Sequence, residues 1–337
     1  MKKIRIAING FGRIGRAFVR QAWAREELEI VAVNDLGSHE NLAYLLKYDT
    51  VYRRAPFEVS TKDGNLVVDG KEVKFFSEKE PSALPWKDLA IDVVIESTGF
   101  FTEYEKAKVH LDAGARRVVI SAPVKEDSEL GATVLMGLNE DCIATCAITS
   151  NASCTTNAGS PIIAILDEVI GIEKAILSTT HAYTASQSIV DSPSKKDMKE
   201  GRAAAQNIVP TTTGAAIAVT KAYPALAGKF DGISLRVPVP AGSIADITFI
   251  AKRPTTVTEV NDILKKASKE KRWEGIFTIS EEELVSSDII GEEYASIADL
   301  PMTHVVDGTL VKVLAWYDNE AGYTHTLIEH AIKVGNA

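Results

Sequence analysis

The first forty residues alternate short, nearly continuous apolar runs with one amphipathic stretch. Lys3 to Ile8 predicts a strand, Gly12 to Arg25 a helix and Glu29 to Asn34 a second strand. Ile30-Val31-Ala32-Val33 has no polar face, the pattern of a parallel strand covered on both sides. Asn41 to Lys47 reads as a short helix. Between Phe57 and Phe76 the pattern changes: Asp69-Gly70 separates two short apolar runs, which predicts a hairpin inserted at a sheet edge. The parallel rhythm resumes with a strand at Ile91 to Glu96, a helix at Glu103 to Ala113 and a strand at Arg117 to Ser121. Thr133 to Met136 and Ile143 to Thr149 are further strand candidates, and a helix is expected from Gly159 to Ile170, with Pro161 in its first turn. Later strands are expected at Ile176 to Thr180, Gly232 to Val237, Ile244 to Ile250 and Thr309 to Trp316, then a final helix from Gly322 to Val334. The predicted fold is an α/β Rossmann-type parallel-sheet domain plus an α+β catalytic domain with a mixed or antiparallel sheet. The expected division is 1–153 for the nucleotide-binding domain, with a C-terminal helix (319–337) packing back on it, and 154–318 for the catalytic domain.

Composition narrows the class. The chain has 337 residues, enough for two domains, and its formal charge of −9 disfavours a general nucleic-acid surface. No window approaches about 18 uncharged apolar residues, so no membrane span is expected. The three cysteines, Cys142, Cys146 and Cys154, are too few and too clustered for an extracellular disulfide framework, and a cytoplasmic protein is expected. No second cysteine pair or well-spaced histidine supports a metal site.

Two segments carry candidate chemistry. Gly10, Gly12 and Gly15 lie between strand and helix, where the first permits a tight turn, the second lets backbone approach a pyrophosphate and the third permits helix–strand contact. N–H groups at the helix start complement phosphate charge. Asp35 closes the second strand; its carboxylate can accept from a ribose diol and would repel a 2′-phosphate, which favours NAD over NADP. Ser97-Thr98-Gly99 follows a strand at its carboxyl end. Phe100 or Phe101 either lines a nicotinamide or fills core, and Ser121 is either a cofactor contact or a plain strand-end hydroxyl. In Asn151-Ala152-Ser153-Cys154-Thr155-Thr156-Asn157, Cys154 stands alone among small polar side chains ahead of a helix, a setting for a thiol nucleophile. Cys142 and Cys146 read as core thiols. His181, at a strand end, is the candidate base; His39, His110, His325 and His330 read as surface or packing residues, while His304 stays open.

Asn9-Gly10-Phe11-Gly12-Arg13-Ile14-Gly15-Arg16 and Ala152-Ser153-Cys154-Thr155-Thr156-Asn157 resemble the phosphorylating glyceraldehyde-3-phosphate dehydrogenase family. So do Ser121-Ala122-Pro123, Pro210-Thr211-Thr212-Thr213-Gly214-Ala215-Ala216, Arg236-Val237-Pro238 and Trp316-Tyr317-Asp318-Asn319-Glu320. The resemblance implies NAD-dependent oxidation of a phosphorylated aldehyde through a cysteine thioester, cleaved by inorganic phosphate. It implies Cys154 as nucleophile and His181 as base, inorganic phosphate at Ser153, Thr155, Thr213 and Gly214, and the substrate's phosphate at Thr184 and Arg236. An arginine in the otherwise apolar Ser234-Leu235-Arg236-Val237 fits an anion site, with a buried salt bridge as the other reading. The resemblance also implies NAD contacts from Arg13, Ile14, Lys79 and Asn319 (otherwise a turn cap) and a homotetramer.

The chain departs from the family pattern at four places. Ser186 stands where an acidic residue is usual, and Glu200 where an arginine helps bind phosphate, which leaves Lys195, Lys196, Lys199 or Arg202 to supply charge. Ala158 replaces a frequent second cysteine, and Ser192 a common apolar residue. An erythrose-4-phosphate or other phosphorylated-aldose dehydrogenase that releases the acid is therefore the alternative enzyme reading. A binding protein without turnover is disfavoured by the retained Cys154, His181, Thr213, Gly214 and Arg236.

Overall fold

The computed structural model describes residues 2–194 and 197–337. The chain divides into two units, one comprising residues 1–134, 140–152 and 324–337, the other 135–139 and 153–323.

The first unit opens with β1 (Ile4–Asn9), α1 (Arg13–Ala22), β2 (Leu28–Asn34) and α2 (His39–Lys47), then a two-residue ladder of β3 (Tyr48–Asp49) and β4 (Arg53–Arg54). β5 (Val59–Lys62), β6 (Asn65–Val68) and β7 (Lys71–Phe76) follow, then β8 (Val93–Glu96), two short helices α3 (Tyr104–Ala107) and α4 (Val109–Asp112), β9 (Arg117–Ile120), β10 (Gly131–Thr133) and β11 (Ile148–Ser150). Among the described residues the sheet runs β10-β11-β9-β8-β1-β2-β7-β6-β5. All pairs from β10 to β7 are parallel, and β7-β6-β5 is an antiparallel meander. The Asp69-Gly70 hairpin forms as predicted, but β7 also pairs with β2, so the insertion extends the parallel sheet. β8 is buried at every position, which explains its unbroken apolar run.

Two local expectations give way to tertiary packing. The helix expected from Glu103 to Ala113 is interrupted at Lys108, beside His110, whose ring is fully buried and bonded to Trp86 and Glu96. The strand expected over Ile143 to Thr149 is a 3₁₀ turn at Glu140–Ala144 followed by β11 alone; Cys142 and Cys146 are consequently half-buried rather than core thiols.

The second unit contains α5 (Cys154–Val169), β12 (Ile172–Ala182), β13 (Val209–Thr212), α6 (Ala215–Ala222), β14 (Phe230–Val237), β15 (Ser243–Ala251), α7 (Val257–Ala267), β16 (Phe277–Ser280), β17 (Ser296–Val306) and β18 (Leu310–Tyr317). α8 (Ala321–Asn336) begins here, and its residues from Thr324 belong to the first unit. Among the described residues the sheet order is β13-β14-β12-β15-β18-β17-β16; β12–β14 and β16–β17 are parallel and the other pairs antiparallel, a mixed sheet as expected. β17 escaped the sequence reading because Pro301 and a register shift between Asp299 and His304 break its alternation. α5 starts at Cys154, five residues before its expected start. Ser153 caps it, its hydroxyl accepting from Thr156 N at 3.1 Å, so the small polar run forms a first turn. Pro161 therefore sits inside the helix, not in its first turn.

Candidate active site

In the first unit, three parallel strands end together. Asn9 of β1 stands beside Asn34 of β2 and Glu96 of β8. Beyond these ends lies a cavity of 490 Å³ whose walls include Gly10, Gly12, Asp35, Lys79, Ser97 and Thr98, with Phe100 and Phe101 at one side. Phe100 is 80% exposed, which excludes it from the core. Gly10 has φ +96°, and a Cβ there would lie 2.6 Å from the backbone of Ser97 and Thr98, so no other residue fits. A Cβ at Gly15 would meet Gly10 O at 2.3 Å, the close helix–strand approach expected of the third glycine. Gly12 faces open space at the start of α1, leaving its backbone approachable. Asp35 is oriented by Phe11 N and Gly37 N, which donate to its two oxygens at 2.7 and 2.8 Å. This donor, acceptor and glycine arrangement fits a dinucleotide.

Other expected cofactor residues lie elsewhere. Arg13 starts α1 but its guanidinium pairs with Asp49 and lies over Tyr52. Ile14, Gly15, Gly99 and Ser121 do not line the cavity. Asn319 belongs to the second unit, where it is buried and accepts from Ser243 Oγ at 3.0 Å. The turn cap at that point is Asp318, which accepts from Glu320 N and Ala321 N. Asn9, Asn34, Leu36 and Glu78 also line the cavity and were missed; for Asn9 and Asn34 a polar residue closing an apolar strand was the available signal, and Leu36 and Glu78 carried none.

In the second unit, Cys154 opens α5 and His181 nears the end of β12. Cys154 Sγ lies 3.3 Å from His181 Nε2. Parallel register sets Arg236 of β14 beside His181. Burial pushes the Cys154 thiol above its ordinary pKa, opposed by the Arg236 charge and hydrogen bonds at Thr155. Burial and then the Arg236 charge bring His181 down to about 3, opposed by its contact with the Ala182 carbonyl. Both shifts run toward the uncharged form of the pair, a thiol facing a neutral imidazole. His181 Nδ1 lies 2.6 Å from Ala182 O and 2.5 Å from Arg236 Nη1. The carbonyl requires Nδ1–H, whereas the guanidinium requires a bare Nδ1. An anion that draws Arg236 away favours Nδ1–H and leaves Nε2 as a base toward sulfur. Arg236 Nε is buried with no acceptor among the described residues, a donor available to such an anion.

Thr213 accepts from Ala215 N at 3.2 Å, and Gly214 caps α6. Ser153 is at the start of α5. Thr155 is also there, but its hydroxyl bonds Tyr317 OH at 2.9 Å, and Tyr317 OH bonds Thr179 Oγ1 at 2.7 Å. Tyr317, fully buried and edge-on to the His181 ring at 6.0 Å, was missed. Thr184 Oγ1 lies 3.1 Å from Ser186 Oγ. Glu200 lines a separate surface cavity with Lys199, Thr211 and Thr212. Arg202 is paired with Asp191 and Lys199 with Asp197, while Lys195 and Lys196 lie outside the described residues.

The family model described as glyceraldehyde 3-phosphate dehydrogenase, NAD binding domain, matches residues 4–104, and the corresponding C-terminal domain matches residues 153–319. The chain belongs to the glyceraldehyde-3-phosphate dehydrogenase family. It is 48% identical to glyceraldehyde-3-phosphate dehydrogenase 2 of Streptomyces avermitilis over 99% of both chains. It is 49% identical to the Thermotoga maritima glyceraldehyde-3-phosphate dehydrogenase over 96% of this chain and 97% of the other, and 46% identical to that of Geobacillus stearothermophilus over 99% and 98%. Membership makes the chain an NAD-dependent oxidoreductase.

Proposed function

We propose that the chain oxidises D-glyceraldehyde 3-phosphate to 1,3-bisphosphoglycerate with NAD and inorganic phosphate. The observation that carries the proposal is the Cys154–His181 contact at 3.3 Å with Arg236 at the far side of the ring. Cys154 sulfur attacks the aldehyde carbon while its proton passes to His181 Nε2, which hands that proton on to the aldehyde oxygen, giving a hemithioacetal and restoring Nε2 as a base. NAD, when bound, supplies the two-electron acceptor for that carbon. His181 takes the hydroxyl proton as the carbonyl re-forms, leaving a thioester on Cys154. Arg236 and Thr184 hold the substrate phosphate. Ser153, Thr155, Thr213 and Gly214 hold the phosphate that cleaves the thioester and frees the thiol. Gly10, Gly12, Asp35, Lys79, Ser97 and Thr98 hold NAD, with Arg13, Ile14, Gly15, Gly99, Ser121 and Asn319 as further contacts by family pattern.

Ile189, Val190, Met198 and Ile208 expose large apolar side chains, which supports contact with other copies of the chain; the homotetramer itself rests on the family pattern. Free thiols at all three cysteines suit a cytoplasmic enzyme, and no described helix is long and apolar enough to cross a membrane.

The test is NADH formation from glyceraldehyde 3-phosphate with inorganic phosphate varied. Multiple turnovers that require phosphate are expected. A single burst, or turnover indifferent to phosphate, would overturn the proposal. Ser186 and Glu200 favour a second reading, a related phosphorylated aldose oxidised with release of the acid, and phosphate-independent turnover of erythrose 4-phosphate would establish it.

A further inference from the structure

We infer that Glu96, held from behind by His110 and Trp86, is a positioning residue for NAD in the first unit. This inference rests on the cofactor reading above. Glu96 is 2% exposed at the end of β8 and is surrounded by donors. Oε1 accepts from Thr98 N at 2.8 Å and from Thr98 Oγ1 at 2.5 Å. Oε2 accepts from Asn9 Nδ2 at 2.6 Å and is 3.0 Å from His110 Nε2.

The directions of these bonds are fixed from both sides. The Trp86 indole can only donate, and it meets His110 Nδ1 at 3.1 Å. His110 Nδ1 is therefore the acceptor, Nε2 carries the hydrogen, and that hydrogen points at Glu96. On the other flank the Asn34 amide is oriented by the backbone of Glu78, whose N–H donates to Asn34 Oδ1 at 2.8 Å and whose carbonyl accepts from Nδ2 at 2.9 Å. Asn34 Nδ2 also donates to Asn9 Oδ1 at 2.7 Å, which turns Asn9 Nδ2 toward Glu96. The 3.4 Å approach of Asn9 Nδ2 to His110 Nε2 is then two donors converging on one oxygen.

The consequence falls on the cavity wall. Thr98 Oγ1, fixed by Glu96, accepts from Phe100 N at 3.0 Å, so one buried carboxylate sets the turn from Ser97 to Phe100. The same carboxylate accepts from Asn9, whose amide is paired with Asn34 in the lining of the cavity. Asn9, Asn34, Glu78, Thr98 and Phe100 all line the cavity, whereas Glu96, His110 and Trp86 do not. Glu96 thus acts on the cofactor through its neighbours, as a supporting shell does for a binding site.

The test is NAD affinity, measured by calorimetric titration of the wild-type enzyme, Glu96→Gln and Trp86→Phe. Glutamine keeps the shape but sets an N–H₂ against either the Thr98 N–H or the Asn9 and His110 donors. Its NAD Kd is expected to rise at least about tenfold, because charge-assisted hydrogen bonds are lost. Trp86→Phe removes the donor that fixes the His110 tautomer and is expected to raise Kd about threefold or more. It also carries the test should Glu96→Gln fail to fold. Cys154 alkylation by iodoacetamide without NAD is expected to proceed at the wild-type rate in both variants. A lowered melting temperature with an unchanged NAD Kd would make Glu96 merely structural and overturn the inference. Absence of saturable NAD binding by the wild-type enzyme would instead overturn the cofactor reading itself.

Discussion

Arg236 acts on both members of the Cys154–His181 pair. Its charge adds to burial in lowering His181 and works against burial at the thiol. Arg236→Gln should therefore let the His181 pKa rise from about 3 toward, but not to, the ordinary value near 6.5, because burial remains. The Cys154 thiol should rise as well. A pH profile of Cys154 alkylation reads the second change as a midpoint moved upward, and NMR titration of His181 reads the first; an unmoved pair would remove Arg236 from the electrostatics of the site. Cys154→Ser should lower NADH formation at least about a thousandfold while NAD Kd stays within about twofold, since the cofactor cavity is built from first-unit residues. A serine variant with near-normal turnover would exclude the thioester route. Cys154 and His181 stood out in the sequence because a thiol among small polar residues and a histidine at a strand end are unusual placements, and the structure brings the two within 3.3 Å. Tyr317 was not, because its role depends on Thr155 and Thr179, 162 and 138 residues away. Glu96 was hidden for the same reason: its partners come together only when β1, β8 and α4 do.

Local elements were legible where local chemistry decides them. The Asp69-Gly70 turn carries positive φ at both residues, 46° and 75°, which that dipeptide accommodates. Helix starts were harder, because a cap looks like loop until its bond is seen. α5 shows this at Ser153, and α7 repeats it at Thr256, whose hydroxyl accepts from Glu259 N at 3.2 Å. Thr256→Ala should cost about 1 kcal/mol of stability and leave kcat and KM unchanged, since Thr256 is outside the catalytic machinery. Urea denaturation alongside steady-state kinetics checks both halves, and an intact denaturation midpoint would show that the cap is idle. Gly10→Ala is the severe counterpart. Its methyl would meet the Ser97 and Thr98 backbone, and φ +96° is itself strained for alanine. The expected result is a loss of at least about 2 kcal/mol and at least a tenfold weaker NAD complex, read by thermal melting and calorimetry. Unchanged affinity would separate the β1–α1 turn from cofactor binding.

On the scale of the whole chain, strand content and the parallel-then-mixed change of texture were legible because each sheet imposes its own periodicity. Strand order was not, since β17 pairs with β18 across a register shift that no alternation announces. Long-range packing also hides titratable groups whose effect is global. His330, read as a surface or packing residue, is fully buried on α8, donates from Nδ1 to Asn151 Oδ1 at 3.1 Å, and is pulled down to about 3 by burial and then by Lys333. Above pH 6.5 His330 is neutral in folded and unfolded chains alike, so it makes no pH-dependent contribution. Below that value the unfolded chain takes up a proton that folded His330 refuses, and stability falls by up to about 1.4 kcal/mol per pH unit until the pH nears the folded value. His181 imposes the same slope from the second unit, because it too is held near 3. Between pH 6.5 and 4.5 most carboxyl groups have yet to titrate, so the histidines dominate the trend. His330→Gln keeps a donor for Asn151 and removes one of the two slopes. Denaturation at a series of pH values should show a shallower decline in the variant through this window, with the two proteins drawing closer in stability as the pH falls. Parallel declines would mean that folded His330 takes up its proton as readily as the unfolded chain does, and that the buried ring is not what limits the enzyme in acid.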